Sequence, residues 1–280
     1  MVFCIFSAAA YADELTTISI DLSTRTPMTD AYIEEDQVRL SFDSGARMPI
    51  ILKQTVLDRV RGVHLTGRYR HSTDAAGRQY KNPEFRLRQI RLDQYATNNI
   101  VGNLYKPWGV RFNPNESNSS TTVPTDTSWL DGVFGLDIFK NKRLIIDYPS
   151  EKLVVLHRNY FPEPYKSMQW VSCQRRMDKS GFVIQATFFG KNGWFLLDTG
   201  ATGSFIRPSF LDIESSNISV TGDFQISKET QPSKITFYLY EFAVPKVDGV
   251  LGYNFFADKR VYLEYKVSHR NSAGCLISTL

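Results

Sequence analysis

The 280-residue sequence has no run of eighteen or more apolar residues, so no segment of it reads as a membrane-spanning helix. It holds only three cysteines, too few for a disulfide-built scaffold, and none sits in a Cys-x-x-Cys pair. Its four histidines, His64, His71, His157 and His269, lack zinc-ligand spacing with cysteine or acidic partners. There is no Gly-x-Ser-x-Gly elbow and no phosphate-cradling glycine loop. Neither sign of charge dominates: 33 basic residues face 29 acidic ones, and a net +4 is too mild to imply nucleic acid. With 42% apolar residues, 17 Gly and 12 Pro, the composition excludes collagen-like, coiled-coil and disordered chains. What is left is an ordinary globular chain, long enough for one large domain or two of about 140 residues.

Residues 1–12, MVFCIFSAAAYA, carry no charge and end in Ala10-Tyr11-Ala12, the pattern that closes a secretory signal peptide before Asp13. The positive start of such a signal is missing, and a first buried strand or a frayed end is the alternative. If the signal is real, Cys4 leaves with it. Cys173 and Cys275 then form either one disulfide of an exported protein or two inert buried thiols.

The most informative feature is an internal repeat. Residues 131–148 read DGVFGLDIFKNKRLIIDY and residues 248–265 read DGVLGYNFFADKRVYLEY, identical at eight of eighteen positions. Upstream of each copy lies an apolar approach followed by Asp-Ser/Thr-Gly-Ala: Asp43-Ser44-Gly45-Ala46 and Asp198-Thr199-Gly200-Ala201. The Asp stands 92 residues before Gly135 in the first copy but 54 before Gly252 in the second, so the first half carries about 38 extra residues between Val60 and Ser128. Each half has the same order: a strand pair, the Asp-Ser/Thr-Gly turn, a short helix, more strands, then the glycine segment. Leu52–Val60 and Pro208–Asp212 have the pattern of the short helices. A hairpin is expected to turn at Gly190–Gly193, and another at Pro149–Lys152. Closely spaced prolines at 162 and 164 suit a stiff connector between the halves.

One Asp-Thr-Gly would be an ordinary turn. Two, one per homologous β lobe, can bring two carboxylates together across a pseudo-twofold axis. Two carboxylates about 3 Å apart cannot both ionise and so share one proton, the arrangement for which aspartic proteases are the standard example. The ionised member can act as general base on a water, and the protonated one can hydrogen-bond the carbonyl under attack. Ser44 and Thr199 supply hydroxyls that can bond across the lobes, Gly45 and Gly200 permit close approach, and Gly135 and Gly252 let a strand pack tightly behind the Asp loops.

On these residues, with Val133-Phe134-Gly135 and Val250-Leu251-Gly252, the sequence resembles the aspartic proteases of the pepsin and retropepsin clan. The Ala after each motif glycine is similar to the retropepsin form, and the two lobes in one chain are similar to pepsin. A bacterial-type, periplasmic or secreted retropepsin-like member is the nearest class. The resemblance covers roughly 38–60, 131–156, 182–212 and 248–265. It implies a mainly β, bilobal fold with a few short helices and a cleft between two pseudo-twofold-related barrel-like lobes. These run from 13 to 161, with an insertion at about 61–127, and from 162 to 280. It also implies catalytic Asp43 and Asp198, an endopeptidase acting on a polypeptide substrate, no metal or cofactor, a monomer, and a mobile hairpin flap. The insertion is the expected source of that flap, with Tyr69 or Tyr80 as its aromatic. The alternative is a silent peptide-binding or scaffold protein of the same fold.

Eight arginines between Arg59 and Arg91 crowd that insertion. They read either as a basic rim for an anionic partner or, the favoured reading, as solvated strand faces, since Phe85-Arg86-Leu87-Arg88 alternates as a half-exposed strand does. Trp108, Trp170 and Trp194 read as core or rim packing rather than ligand platforms, with Trp129, just before the first glycine segment, as the exception.

Overall fold

The computed structural model describes residues 15–46, 48–74, 76–105, 129–156, 161–173, 175–178, 181–213, 219–228, 230–264 and 275–278. The signal-like stretch 1–12 with Cys4, Trp108, the part of the insertion from 106 to 127, and His157 and His269 lie outside them.

Two six-strand barrels stand on a shared six-strand sheet. The first barrel runs Met28–Ile33, Asp36–Asp43, Gly132–Gly135, Ile50–Leu52, Tyr95–Leu104 and Gln79–Leu92, and closes where Ala31–Ile33 pair with Ile90–Leu92. The second runs Gly181–Phe188, Lys191–Leu197, Gly249–Leu251, Ser204–Ile206, Ser233–Leu239 and Ser219–Gln225, and closes through Thr187 and Phe188 against Gln225 and Phe224. Closure removes the free strand edges that each sheet would otherwise expose. The fold is mainly β and bilobal, as the motif pair implied.

The repeat is visible as one knot of backbone built twice. In each lobe the glycine strand threads between the strand that delivers the Asp and the strand that follows its turn. Leu40–Asp43 pair parallel with Gly132–Gly135, and Phe195–Leu197 pair parallel with Gly249–Leu251. On the other side, Ile50–Leu52 and Phe205–Ile206 run antiparallel to the same glycine strands. A central strand buried on both faces must be apolar throughout, and Gly132–Gly135 and Gly249–Leu251 are buried at every residue.

The sheet beneath takes three strands from each half. Its order is Leu15–Ser19, Lys152–Leu156, Arg143–Asp147, Arg260–Glu264, Cys275–Ser278 and Trp170–Ser172. The repeats meet at its centre, where Arg143 binds Glu264 (3.0 Å) and Arg260 binds Asp147 (3.0 Å). Each arginine therefore pairs with the acid of the opposite half. Cys173 and Cys275 form a disulfide at the sheet's outer edge, with Cα atoms 5.4 Å apart. Of the two readings for these thiols, the structure takes the disulfide.

A single hydrophobic cluster runs from Ile18 through both barrels to Ile277. Phe42, Phe134 and Phe139 fill it under the first Asp loop, with ring centroids 5.2–6.2 Å apart. Phe195, Phe224 and Phe237 do so under the second. Burying each such side chain contributes about 1.5–3 kcal/mol, so each Asp-delivering strand is anchored by the residue just before its turn or close to it.

Two local expectations are corrected. The first helix is Gln54–Arg59, and Leu52 is instead a strand residue, because its backbone is taken by Gly132 and Leu104 on either side. The second-lobe hairpin turns at Phe189-Gly190, both at positive φ, which matches the two-residue turn favoured by strand twist. Lys191, Asn192 and Gly193 therefore already belong to the returning strand.

Candidate active site

Asp43 ends one strand, and Asp198 directly follows its counterpart in the other lobe. Ser44 and Thr199 bring the two turns together by a reciprocal exchange across the lobes. The Ser44 amide donates to Thr199 Oγ1 (3.0 Å), and the Thr199 amide donates to Ser44 Oγ (2.9 Å). The hydroxyls donate onward, Ser44 to the Leu197 carbonyl (2.8 Å) and Thr199 to the Phe42 carbonyl (3.0 Å). Both side chains are fully buried, so all four bonds are made in a dry environment where an unmade bond is costly.

Within each turn the carboxylate is oriented by its own backbone. Asp43 Oδ1 accepts from the amides of Gly45 (2.8 Å) and Ala46 (2.9 Å), and Asp198 Oδ1 accepts from that of Gly200 (2.9 Å). The glycines let the lobes close. A Cβ added at Gly45 would stand 2.8 Å from Asp198 Cγ, and one at Gly200 would stand 2.7 Å from Asp43 Cγ. Gly135 and Gly252 lie behind the loops as expected. An added Cβ would strike the Met48 carbonyl oxygen in one lobe and the Ala201 carbonyl oxygen in the other.

The carboxyls of Asp43 and Asp198 are half-buried, each against the turn glycine of the other lobe. Burial pushes both above the ordinary carboxylate range. Asp198 rises furthest, because the Asp43 charge and the shared hydrogen bond add to burial. For Asp43 the bond from Asp198 and the two turn amides pull back against it. Two acids so raised and so close titrate as a pair rather than singly.

Three contributors escaped the sequence reading although the repeat displayed them. Asp131 and Asp248 open the two glycine strands and clamp them. Asp131 Oδ2 accepts from the Arg39 amide (2.8 Å) and meets Arg59 (3.1 Å), and Asp248 Oδ2 accepts from the Trp194 amide (2.7 Å). Their identity in both copies was the available signal. Tyr148 lies buried beneath the pair, stacked on Phe256 at 5.2 Å, and its hydroxyl has no hydrogen-bond partner among the described residues. Burial, followed by the charges of Asp198, Tyr253 and Asp43, raises its phenol well above the usual range.

The insertion forms a long hairpin, Val63–Thr73 against Gln79–Leu92. Tyr69 is 55% exposed, with the Lys81 ammonium 4.4 Å from its ring, and Tyr80 donates to Asp74 at the tip (3.0 Å). The arginines are mostly matched with acids: Arg59 with Asp131, Arg61 with Glu35, Arg70 with Glu84, Arg78 with Asp74, and Arg88 with Glu34. This is the strand-face reading rather than a free basic rim. Among the described residues no group of three His, Cys, Asp or Glu could hold a metal, and no helix is long and apolar enough to cross a membrane.

Searches by sequence find no matching protein-family model and no matching curated protein. Solved structures do match the fold. An aspartic proteinase from Irpex lacteus aligns with a TM-score of 0.60 at 10% identity, covering 95% of this chain and 97% of its own. Basic 7S globulin from soybean aligns at 0.59 with 8% identity, covering 95% and 94%. The chain has the bilobal aspartic-protease fold over nearly its whole length.

Proposed function

We propose that this protein is an aspartic endopeptidase that hydrolyses peptide bonds in an extended polypeptide, with Asp43 and Asp198 as its catalytic pair. The observation that carries this reading is the pair itself: two carboxyls, one from each lobe, each lying against the turn glycine of the other lobe, with burial raising both above the ordinary carboxylate range. A water between them loses a proton to the ionised carboxylate as its oxygen attacks the scissile carbonyl carbon. The protonated carboxyl hydrogen-bonds the carbonyl oxygen as that oxygen gains charge. The resulting tetrahedral intermediate, its oxyanion held by that hydrogen bond, then collapses, the C–N bond breaks, and the proton first taken from water passes to the leaving amine. No metal or cofactor takes part. The single bilobal chain supports action as a monomer, and the Ala10-Tyr11-Ala12 ending supports export to the periplasm or outside the cell. The Asp-Ser/Thr-Gly-Ala motifs favour a retropepsin-like member.

The test is cleavage of a peptide library by the wild type, Asp43→Asn and Asp198→Asn, with and without a statine-type peptide. The expected outcome is cleavage by the wild type alone, blocked by the statine peptide. A second reading, a peptide-binding protein without turnover, is favoured by one observation: basic 7S globulin, whose name states no protease activity, matches as well as the proteinase does. A binder would keep its affinity in both Asn variants and show no cleavage in the wild type.

A further inference from the structure

Tyr148 follows the first-lobe strand Arg143–Asp147 of the shared sheet, and its ring crosses to the second half. Its backbone is fixed at the hairpin turn, where the Glu151 amide donates to the Tyr148 carbonyl (3.0 Å). The ring stacks on Phe256 (5.2 Å) and lies 6.1 Å from that of Tyr253. Both belong to the short helix Tyr253–Phe256, whose first amide donates to the Ala201 carbonyl (2.9 Å), three residues after Asp198. The first lobe builds the same pedestal, with the Leu136 amide on the Ala46 carbonyl (3.0 Å). Tyr148 therefore joins a turn of one half to the pedestal under the other half's acid.

The ring accounts for that contact, but the hydroxyl does not. Tyr148 is 1% exposed, and among the described residues its hydroxyl is the one buried phenol oxygen without a hydrogen-bond partner. Other buried phenols are satisfied. Tyr95, which meets the equivalent Phe139 at 5.3 Å, donates to the Ile138 carbonyl (3.1 Å), and Tyr165 donates to Asp147 (2.8 Å). An unmade hydrogen bond in a dry interior destabilises the fold, and a phenylalanine would stack on Phe256 equally well. A hydroxyl kept in such a place calls for another use.

The groups around it narrow that use. The charges that act on the phenol are those of Asp198, Tyr253 and Asp43, in that order, and together with burial they keep it protonated. Asp147, its neighbour in the chain, is turned to Arg260 and Tyr165. Asp258 and Lys259, just beyond the helix, pair with each other. The carboxyl pair is thus the acidic group left to an O–H that has no other acceptor, and a free hydroxyl dipole orients in the local field.

We propose that Tyr148 is a positioning residue of the carboxyl pair, whose buried O–H dipole favours the singly ionised form and so lowers the pH at which the pair becomes competent. Its effect on cleavage rests on the endopeptidase reading, whereas its effect on the titration of the pair does not.

The test is Tyr148→Phe, with Tyr165→Phe as the control for loss of a buried phenol elsewhere under the lobes. The carboxyl carbons of Asp43 and Asp198 are followed by carbon-13 NMR against pH and assigned with Asp43→Asn and Asp198→Asn. In Tyr148→Phe the first ionisation of the pair should move up by about half a pH unit or more, with Tm held or raised. Tyr165→Phe should lower Tm and leave the titration in place. In peptide cleavage the acid limb of kcat should move by the same amount, about a threefold loss on that limb. KM and the plateau kcat should change by less than about twofold. An unmoved titration in folded Tyr148→Phe overturns the proposal, and so does an equal move in Tyr165→Phe. A moved titration with an unmoved acid limb overturns the link to catalysis. If the wild type cleaves nothing at any pH, the endopeptidase reading fails, and the titration alone decides the proposal. Should Tyr148→Phe not fold, the wild type labelled at its tyrosine ring carbons replaces it. The Tyr148 Cζ signal should then shift as the pair titrates, and a flat response overturns the proposal.

Discussion

Gly45 lies against the carboxyl of Asp198, so close that a methyl group there would stand 2.8 Å from the carboxyl carbon. Gly200 does the same to Asp43 at 2.7 Å. Each turn glycine is therefore the wall on which the other lobe's acid rests. Gly45→Ala or Gly200→Ala must push the carboxyls apart, since neither backbone nor carboxyl can yield without breaking the turn. The expected loss in peptide cleavage is at least 100-fold, about 3 kcal/mol of transition-state stabilisation, with near-ultraviolet circular dichroism retained.

The exchanged bonds of Ser44 and Thr199 have no solvent to replace them. Ser44→Ala or Thr199→Ala leaves a buried amide and a buried carbonyl unpaired, at about 1–3 kcal/mol for each such group. Denaturant melts should show a loss of about 2–4 kcal/mol. Thr199→Ser should recover most of it, because it reproduces the hydroxyl that the first lobe already uses at Ser44.

Stability should respond to pH through the carboxyl pair. An acid whose folded pKa lies above its unfolded value, about 3.9 for Asp, stabilises the fold fully below that value and loses the contribution as pH rises through the folded pKa. Burial raises Asp198 well above the ordinary range, so the folded chain is at a disadvantage near neutrality. Asp198→Asn should therefore melt higher than the wild type at pH 7, and the gap should close by pH 3.5. Calorimetry at pH 3.5, 5 and 7 reads this directly. A gap that is constant with pH would count against the shared proton.

The disulfide Cys173–Cys275 closes a loop with a sequence separation of 102. On the chain-entropy account such a crosslink contributes about 4–5 kcal/mol. Cys173→Ala/Cys275→Ala should lower Tm by roughly 8–15 °C, while peptide cleavage at 20 °C changes less than twofold, since the bond lies at the sheet edge far from the paired turns in sequence.

At the centre of the shared sheet, Asp147 is almost fully buried and serves Arg260, the Tyr165 hydroxyl (2.8 Å) and the Ser150 amide (3.1 Å) together. Asp147→Ala should cost about 3–5 kcal/mol, because it leaves a nearly buried guanidinium unpaired. Arg260→Leu combined with Asp147→Leu should cost clearly less than Asp147→Ala, which a double-mutant cycle would measure.

The repeat made the two lobes, the two Asp turns and the glycine strands legible, because each copy must build the same knot and so keeps the same residues at the same spacing. It also displayed Asp131, Asp248, Arg143 and Arg260, but a shared residue does not say what it touches. Periodicity misplaced Leu52 because a buried strand of three residues and the first turn of a helix look alike until the flanking strands are known. The Phe189-Gly190 turn was missed because a bulky residue at positive φ is not a turn signal in sequence.

Composition and pattern thus determined a mainly β chain of two related halves, each with one carboxylate on a tight turn. Those are consequences of local chemistry and of a duplicated spacing. Only the tertiary structure decided that Ser44 and Thr199 exchange bonds, that Cys173 meets Cys275, and that the insertion reaches Ala243 of the other lobe. Such contacts join residues 102 to 166 positions apart in the chain, and no local pattern encodes which distant partner closes them.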